Sequence, residues 1–372
     1  FARFVSLVDG NRGDIVAEVS SRASRQNILY LELMQSLGMF EVANWAATNY
    51  ETTSYEFTEI LDHDYIDEQV IKVASTLDQI ESRRREIQKC NGERANRFDG
   101  CDVEIRYLAQ VIRTFSPIQV YAQTLFAFKL IEADPRVVGL NLVAPEDDPI
   151  ALRDYRLHMS FISDISKQFT NFSNGIALHA GELTLGLVPP KHLGWHVRAA
   201  IMTAGAKRIG HGIDIAYEDD LNGLLKHMAE HSIAVEINLT SNDVILGISG
   251  AEHPFETYME YGVPLTISTD DEGVSRIDLT NEYSRATTEY DLDYKTIRSL
   301  SRNAIQYSFL QGAPLFTNTL TGDVTEECSE DKNKGGETIT DRCENFLSSS
   351  PKATLQWQLE QKISLFEQSL RI

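Results

Sequence analysis

The 372-residue sequence has no uninterrupted apolar stretch approaching the ~18 residues that a membrane-spanning helix needs, so no spanning helix is expected. Its first residues, Phe1-Ala-Arg-Phe-Val-Ser-Leu, hold no basic segment followed by an apolar one, so no signal peptide is visible. They also lack an initiating Met, and the chain is expected to begin inside a longer precursor. Basic residues are scarce, 34 Lys plus Arg against 55 Asp plus Glu, for a formal charge of −21. So acidic a surface repels phosphate backbones and anionic bilayers, which excludes nucleic acid and membrane as expected partners. A neutral or cationic small substrate fits better. No Gly-x-Gly-x-x-Gly follows any strand-like run, there is no low-complexity tract, and no repeat exceeds strand-helix alternation. With 42% hydrophobic and 24% charged residues, the composition is that of a folded chain with a large core.

Cysteines number only four. Cys90 and Cys101 flank a polar, turn-rich stretch, and Cys328 and Cys343 flank another that contains Gly335-Gly336. Neither spacing resembles a zinc ribbon, which places about two to four residues between thiolates. Two local disulfides, each closing a surface loop and worth ~3 kcal/mol on the loop-entropy model, account for the pattern. They imply an extracytoplasmic location, secreted or periplasmic. The alternative is four unrelated reduced thiols in a cytosolic protein.

Seven short apolar runs without polar alternation have the pattern of buried parallel strands. They are 28–33, 103–108, 137–142, 175–179, 208–211, 233–238 and 263–268. Amphipathic helical patterns lie between them, among them 121–131, 193–203 and 221–231. Alternation of this kind means parallel α/β architecture. Asn141, His179, His211, Asn238 and the pair Asp270-Asp271 all fall at or just beyond the ends of such runs. Polar residues at the C-terminal ends of successive strands describe the active-site face of a (β/α)8 TIM-type barrel. A doubly wound sheet would gather its site at one switch point instead. The count is one strand short of eight, and the first strand is expected to lie upstream of residue 1. The expected organisation is a barrel over 1–316 with an insertion at about 51–102, followed by a loop and helix over 317–372. The insertion carries a helical stretch, 68–89, that suits either a lid or the arm of a homodimer. The final helix, opened by Pro351, places Leu355, Leu359, Ile363, Phe366 and Leu370 on one side.

Three constellations carry chemistry. In His179-Ala180-Gly181-Glu182, a strand-end His and a carboxylate three residues on can share one rim. Either alone is as easily a hydrogen-bonded structural pair. In Gly210-His211-Gly212, the flanking glycines leave room for close approach. Thr269-Asp270-Asp271 sets two acids at a strand end, costly unless a cation or donor pairs them, although an N-cap for the next helix is the plainer alternative. Together, and in chain order, they supply what metal-assisted hydrolysis needs: N and O ligands, a proton donor and an orienting His.

Together with Thr240-Ser241-Asn242, these motifs resemble the adenosine deaminase family over about residues 14–312. The cysteine-flanked insertion and the acidity are most like its secreted branch, the adenosine deaminase-related growth factors and their bacterial relatives. The resemblance implies a zinc-dependent conversion of adenosine or deoxyadenosine to the inosine product and ammonia. In it His179 and Asp270 ligate zinc, Glu182 protonates purine N1, and His211 orients and deprotonates the water. Asp270 also contacts the attacking hydroxide, Asp271 bonds purine N7, and Gly181 and Ala144 line the purine, Ala144 standing where the family usually has Gly. Asn238 stands where relatives often carry Cys. The family's His-x-His pair has no counterpart, since none of the nine histidines has that spacing. Two further ligands are therefore expected upstream with the missing strand. His192 with His196, and His227 with His231, are four apart and are expected to be surface or packing residues. A barrel that has lost catalysis and serves as a binding or signalling protein is the alternative from another class. An amidohydrolase for adenine or a pterin is a third.

Overall fold

The computed structural model describes residues 5–8, 10–50, 57–61, 63–93, 96–169, 175–332 and 339–370. The seven expected strands form: β1 (Tyr30–Gln35), β2 (Glu104–Ile112), β3 (Val137–Val143), β4 (Ala177–Ala180), β5 (Arg208–His211), β6 (Ala234–Ile237) and β7 (Leu265–Ile267). All pair in parallel with their sequence neighbours, β1-β2-β3 in one group and β4-β5-β6-β7 in another. A single parallel bridge, Leu140 to Ile176, joins the groups, and the Leu140 amide donates to Gly175 O at 2.8 Å. The backbones meet closely there because Gly139 faces Gly175: a Cβ on Gly139 would stand 2.3 Å from the Gly175 carbonyl oxygen.

The seven strands make an α/β arc of TIM-barrel type. Its edges differ. Every residue of β1 is half-buried, whereas every residue of β7 is buried. Among the described residues β1 and β7 share no ladder. A buried ion cluster ties β1 across the interior to the second group: Arg208 on β5 pairs with Glu32 on β1 at 2.5 Å and with Glu236 on β6. Its guanidinium also donates to Tyr307 O at 3.1 Å and lies 4.4 Å from the centre of the Phe309 ring. Charges this deep persist only when paired.

β1 starts two residues later than its apolar run, and β2 continues four residues past Leu108, to Ile112. The insertion helix begins earlier than its pattern, at Asp64, where His63 Nδ1 accepts the Tyr65 amide at 3.1 Å. It buries Ile66, Val70, Val73, Leu77 and Ile80 against the barrel. Arg83 meets Asp14 at 3.0 Å, and Gln88 Nε2 donates to Ala17 O at 2.9 Å, so this excursion is part of the wall. Cys90 is bonded to Cys101 and Cys328 to Cys343, with Cα separations of 5.4 and 4.6 Å. Gly335-Gly336 lies outside the described residues. Phe316–Asn318 and Asp323–Val324 form an antiparallel hairpin beside the second bridge. The last helix, Pro351–Ser369, packs through Leu355 and Leu359 and pairs Glu360 with Arg302 at 2.7 Å. Its expected apolar side is only half used, because Phe366 and Leu370 extend past the body and stay exposed.

Candidate active site

All the predicted site residues lie at the C-terminal ends of β3, β4, β5 and β7, which the parallel ladder brings to one rim. Asn141, inside β3, sets the first of them. Its Oδ1 accepts the His179 amide at 3.0 Å and stands 2.9 Å from His179 Nδ1. A backbone N–H can only donate, so the facing atom is an acceptor and His179 must donate from Nδ1. A neutral imidazole then keeps its Nε2 lone pair free, the form in which metal-binding histidines are held by a neighbouring oxygen. Burial above all, with the nearby His211 and Arg113, lowers the His179 pKa below the usual imidazole range and favours the neutral ring.

His211 closes β5 with a left-handed φ of 71°, and Asp270 follows β7 with φ 51°. The His179 and His211 rings are 5.0 Å apart. One donor atom from each of His179, His211 and Asp270 lies within 4.8 Å of the other two. Asp270 Oδ2 accepts the Ser241 hydroxyl at 2.7 Å. His211 Nε2 is buried with no protein partner, 3.7 Å from Glu182 Oε1 and 4.0 Å from Asp270 Oδ2. The free His179 lone pair beside the Asp270 carboxylate supplies nitrogen and oxygen donors suited to a borderline divalent ion such as zinc, and the orphaned His211 nitrogen faces the same space.

Glu182 is mostly buried. That desolvation raises its pKa, with Asp270 and Glu146 adding to the rise and His211 opposing it. Asp271 is raised to about 6, by burial first and then by Asp270 and Glu182. Asp271 sits at the N-cap of a one-turn helix, Glu272–Ser275, yet its side chain makes no capping bond. The plain capping role is therefore not what occupies the carboxylate. Gly181 has φ 74°, and a Cβ there would meet Asp214 Oδ1 at 2.3 Å, so no other residue fits. Ala144 adopts φ 81° despite its side chain, and Arg113 Nε donates to its carbonyl at 2.7 Å.

Glu146, Arg113, His196, Asn242 and His253 also belong to the site, and the motifs did not single out roles for them. Glu146 is fully buried and accepts the Gly181 and Glu182 amides at 3.1 and 3.0 Å and His196 Nδ1 at 2.5 Å. Burial pushes its carboxyl up, but the His196 hydrogen bond and charge, Arg113 and the Gly181 amide outweigh it and hold the pKa at about 2. Arg113 Nη1 donates to His179 O at 3.2 Å. Three of the four backbone positions in His179–Glu182 are thus pinned from beneath. His196 packs as expected and is also a donor in this cluster, whereas the His227 and His231 rings stack on each other at 4.0 Å away from the rim. The sequence signals were faint: a lone Arg after an apolar strand, and one acid among Glu146-Asp147-Asp148.

The geometry can hold a metal between β4 and β7 and present a buried carboxyl beside it. The adenosine deaminase family model matches residues 41–314. Adenosine deaminase of Escherichia coli (strain SE11) is 37% identical over 136 residues, 36% of this chain and 38% of that enzyme. The chain thus aligns with about two fifths of the length of that curated relative. Among solved structures, the Arabidopsis N6-mAMP deaminase superposes with TM-score 0.54 at 22% identity, covering 81% of this chain and 74% of that one. An amidohydrolase from Burkholderia ambifaria with bound Zn gives 0.53 at 16% identity, covering 81% and 69%. At those identities the structures establish the fold. With the family model covering most of the sequence, the chain belongs to the adenosine deaminase family.

Proposed function

We propose that the protein hydrolyses the exocyclic amine of adenosine or deoxyadenosine, giving inosine or deoxyinosine and ammonia, with zinc as its metal. His179, through its free Nε2, and Asp270 are the residues that would hold the ion. When bound there, zinc lowers the pKa of its water towards ~7 and so supplies hydroxide at neutral pH. Glu182, whose buried carboxyl keeps its proton to higher pH than an exposed one, protonates the ring nitrogen N1 as the nucleophile adds at C6. Asp271 bonds N7, and the backbone around Gly181 and Ala144 flanks the purine.

The observation that carries this reading is the convergence of His179, Glu182, His211 and Asp270, side chains from three strand ends, within a few ångströms. Two features favour a nucleoside over a phosphorylated substrate. Two arginines near the site are already engaged, Arg113 with Ala144 O and Arg22 with Glu272 at 2.6 Å. Phe40, Leu185, Leu187 and Val244, on segments that follow β1, β4 and β6, are exposed and apolar. The two disulfides support an extracytoplasmic setting.

The test is ammonia release from adenosine, deoxyadenosine, adenine, a pterin, AMP and N6-methyl-AMP at measured metal content. Turnover of the nucleosides well above AMP is expected. Preference for either nucleotide overturns the nucleoside assignment, and no release from any with metal bound leaves a binding protein.

A further inference from the structure

His211 Nδ1 is not free to choose its hydrogen. Asn242 Nδ2 lies 2.9 Å from it and Asn238 Nδ2 3.4 Å. An amide can turn end for end, so those contacts alone leave the ring's tautomer open. The chain of bonds continues, however, to a group that cannot turn. Asn242 Oδ1 is 3.2 Å from His253 Nε2, and His253 Nδ1 is 3.1 Å from the Phe255 backbone N. The Phe255 amide can only donate, so His253 Nδ1 is an acceptor. His253 is buried, and burial first, with Arg285 and His211, lowers its pKa to about 4; the neutral ring then carries its hydrogen on Nε2. That hydrogen goes to Asn242 Oδ1, which fixes the amide and turns Nδ2 towards His211. His211 Nδ1 accepts, and the hydrogen of the neutral His211 ring stands on Nε2, the buried atom without a partner between Glu182 and Asp270.

We infer that Asn242 and His253 are positioning residues that lock His211 with its hydrogen on Nε2, so that it meets the reacting oxygen as a hydrogen-bond donor, not as a base or a metal ligand. The inference rests on the deaminase reading and amends it: a ring that already carries a hydrogen on Nε2 orients the nucleophile but cannot take its proton there. Two carboxylates face that nitrogen, Glu182 at 3.7 Å and Asp270 Oδ2 at 4.0 Å; Glu182 serves as proton donor in the deaminase reading, which leaves Asp270 as the acceptor. His179 and His211, side by side, hold opposite tautomers.

The experiment uses the full chain with 15N-labelled histidine, metal-free and zinc-loaded. Two-bond nitrogen–proton NMR correlations report which ring nitrogen carries the hydrogen, and the His211 signals are assigned by their loss in His211→Gln. Native His211 is expected to carry it on Nε2. Asn242→Asp presents an acceptor to both rings and should move it to Nδ1, with kcat falling about 10–100-fold and KM held within about threefold. His253→Gln keeps a donor facing Asn242 and should hold kcat within about threefold of native, whereas His253→Leu frees the amide and should lower kcat about tenfold or more. Should Asn242→Asp not fold, the two His253 variants decide. A hydrogen on Nδ1 in the native protein, or equal kcat in the Gln and Leu variants, overturns the inference. Absence of ammonia release from the native chain would overturn the deaminase reading alone, because the NMR result does not depend on turnover.

Discussion

The two sides of the site are built differently. On the β3–β4 side, the His179 ring is held by one neighbour, Asn141, whose position is set by the strand itself. On the β5–β6 side, His211 is held through Asn242 and His253, side chains that reach back to the backbone of a six-residue helix, Phe255–Glu260. A ligand needs a fixed lone pair, and sheet register supplies that with a single bond. A donor needs a fixed hydrogen, and here three residues in series supply it. The first arrangement inherits the stiffness of the ladder, whereas the second is only as firm as its weakest link.

The largest expected effect comes from the group that both sides face. Glu182→Gln keeps the shape and removes the proton, so turnover should fall at least about a hundredfold while metal stays bound. Ammonia release and metal content on one preparation check it, and undiminished turnover would remove Glu182 from the mechanism. Next is the short side. Asn141→Leu leaves His179 Nδ1 without its acceptor, and metal affinity should weaken about 10–100-fold, read by competition with a chelator. Unchanged affinity would mean that His179 is oriented by something other than Asn141.

The smallest effect falls where the sides meet. Asp214 is three residues past His211 and presses on Gly181, and its buried carboxyl has only the Asp214 and Gly194 backbone amides against it. Burial first, then Glu146 and Glu218, raises its pKa well above 3.8. The folded state therefore keeps a proton that the unfolded chain has released. That contribution to stability is complete below about pH 3.8 and is lost as pH rises through the folded value. Asp214→Asn has no such proton. Thermal melts should show it more stable than native by about 2–4 °C at pH 8, with a smaller gain at pH 5. An equal gain at both would mean that Asp214 ionises normally.

Most of the fold was legible because buried parallel strands announce themselves as apolar runs, and all seven form where those runs lie. Their ends were less so: β2 gains the four residues Ala109 to Ile112 because β3 offers register as far as Val143, which only pairing reveals. The candidate site was legible where polar residues coincide with strand ends, as at His179, Glu182, His211 and Asp270, which the fold brings together. Glu146, His196 and His253 stayed hidden, and Asn242 showed only as part of a motif without a role, because each acts on a residue 11 to 50 positions away and nothing local marks such a bond. His253 looked like any His before a Pro. The ion cluster of Glu32, Arg208 and Glu236 was invisible for the same reason, its members lying on three different strands.

The glycine seam between β3 and β4 works as a spacer of fixed width. Asn141 is two residues beyond Gly139, and His179 is four beyond Gly175, so both partners of the ligand bond hang from that seam. A methyl group at Gly139 would wedge the strands apart well short of the rim, and the gap would carry forward to the 2.9 Å bond that leaves Nε2 free. The tolerance of the metal site is therefore set by two residues that never touch it, and its dimensions are inherited from the closest approach of two bare backbones.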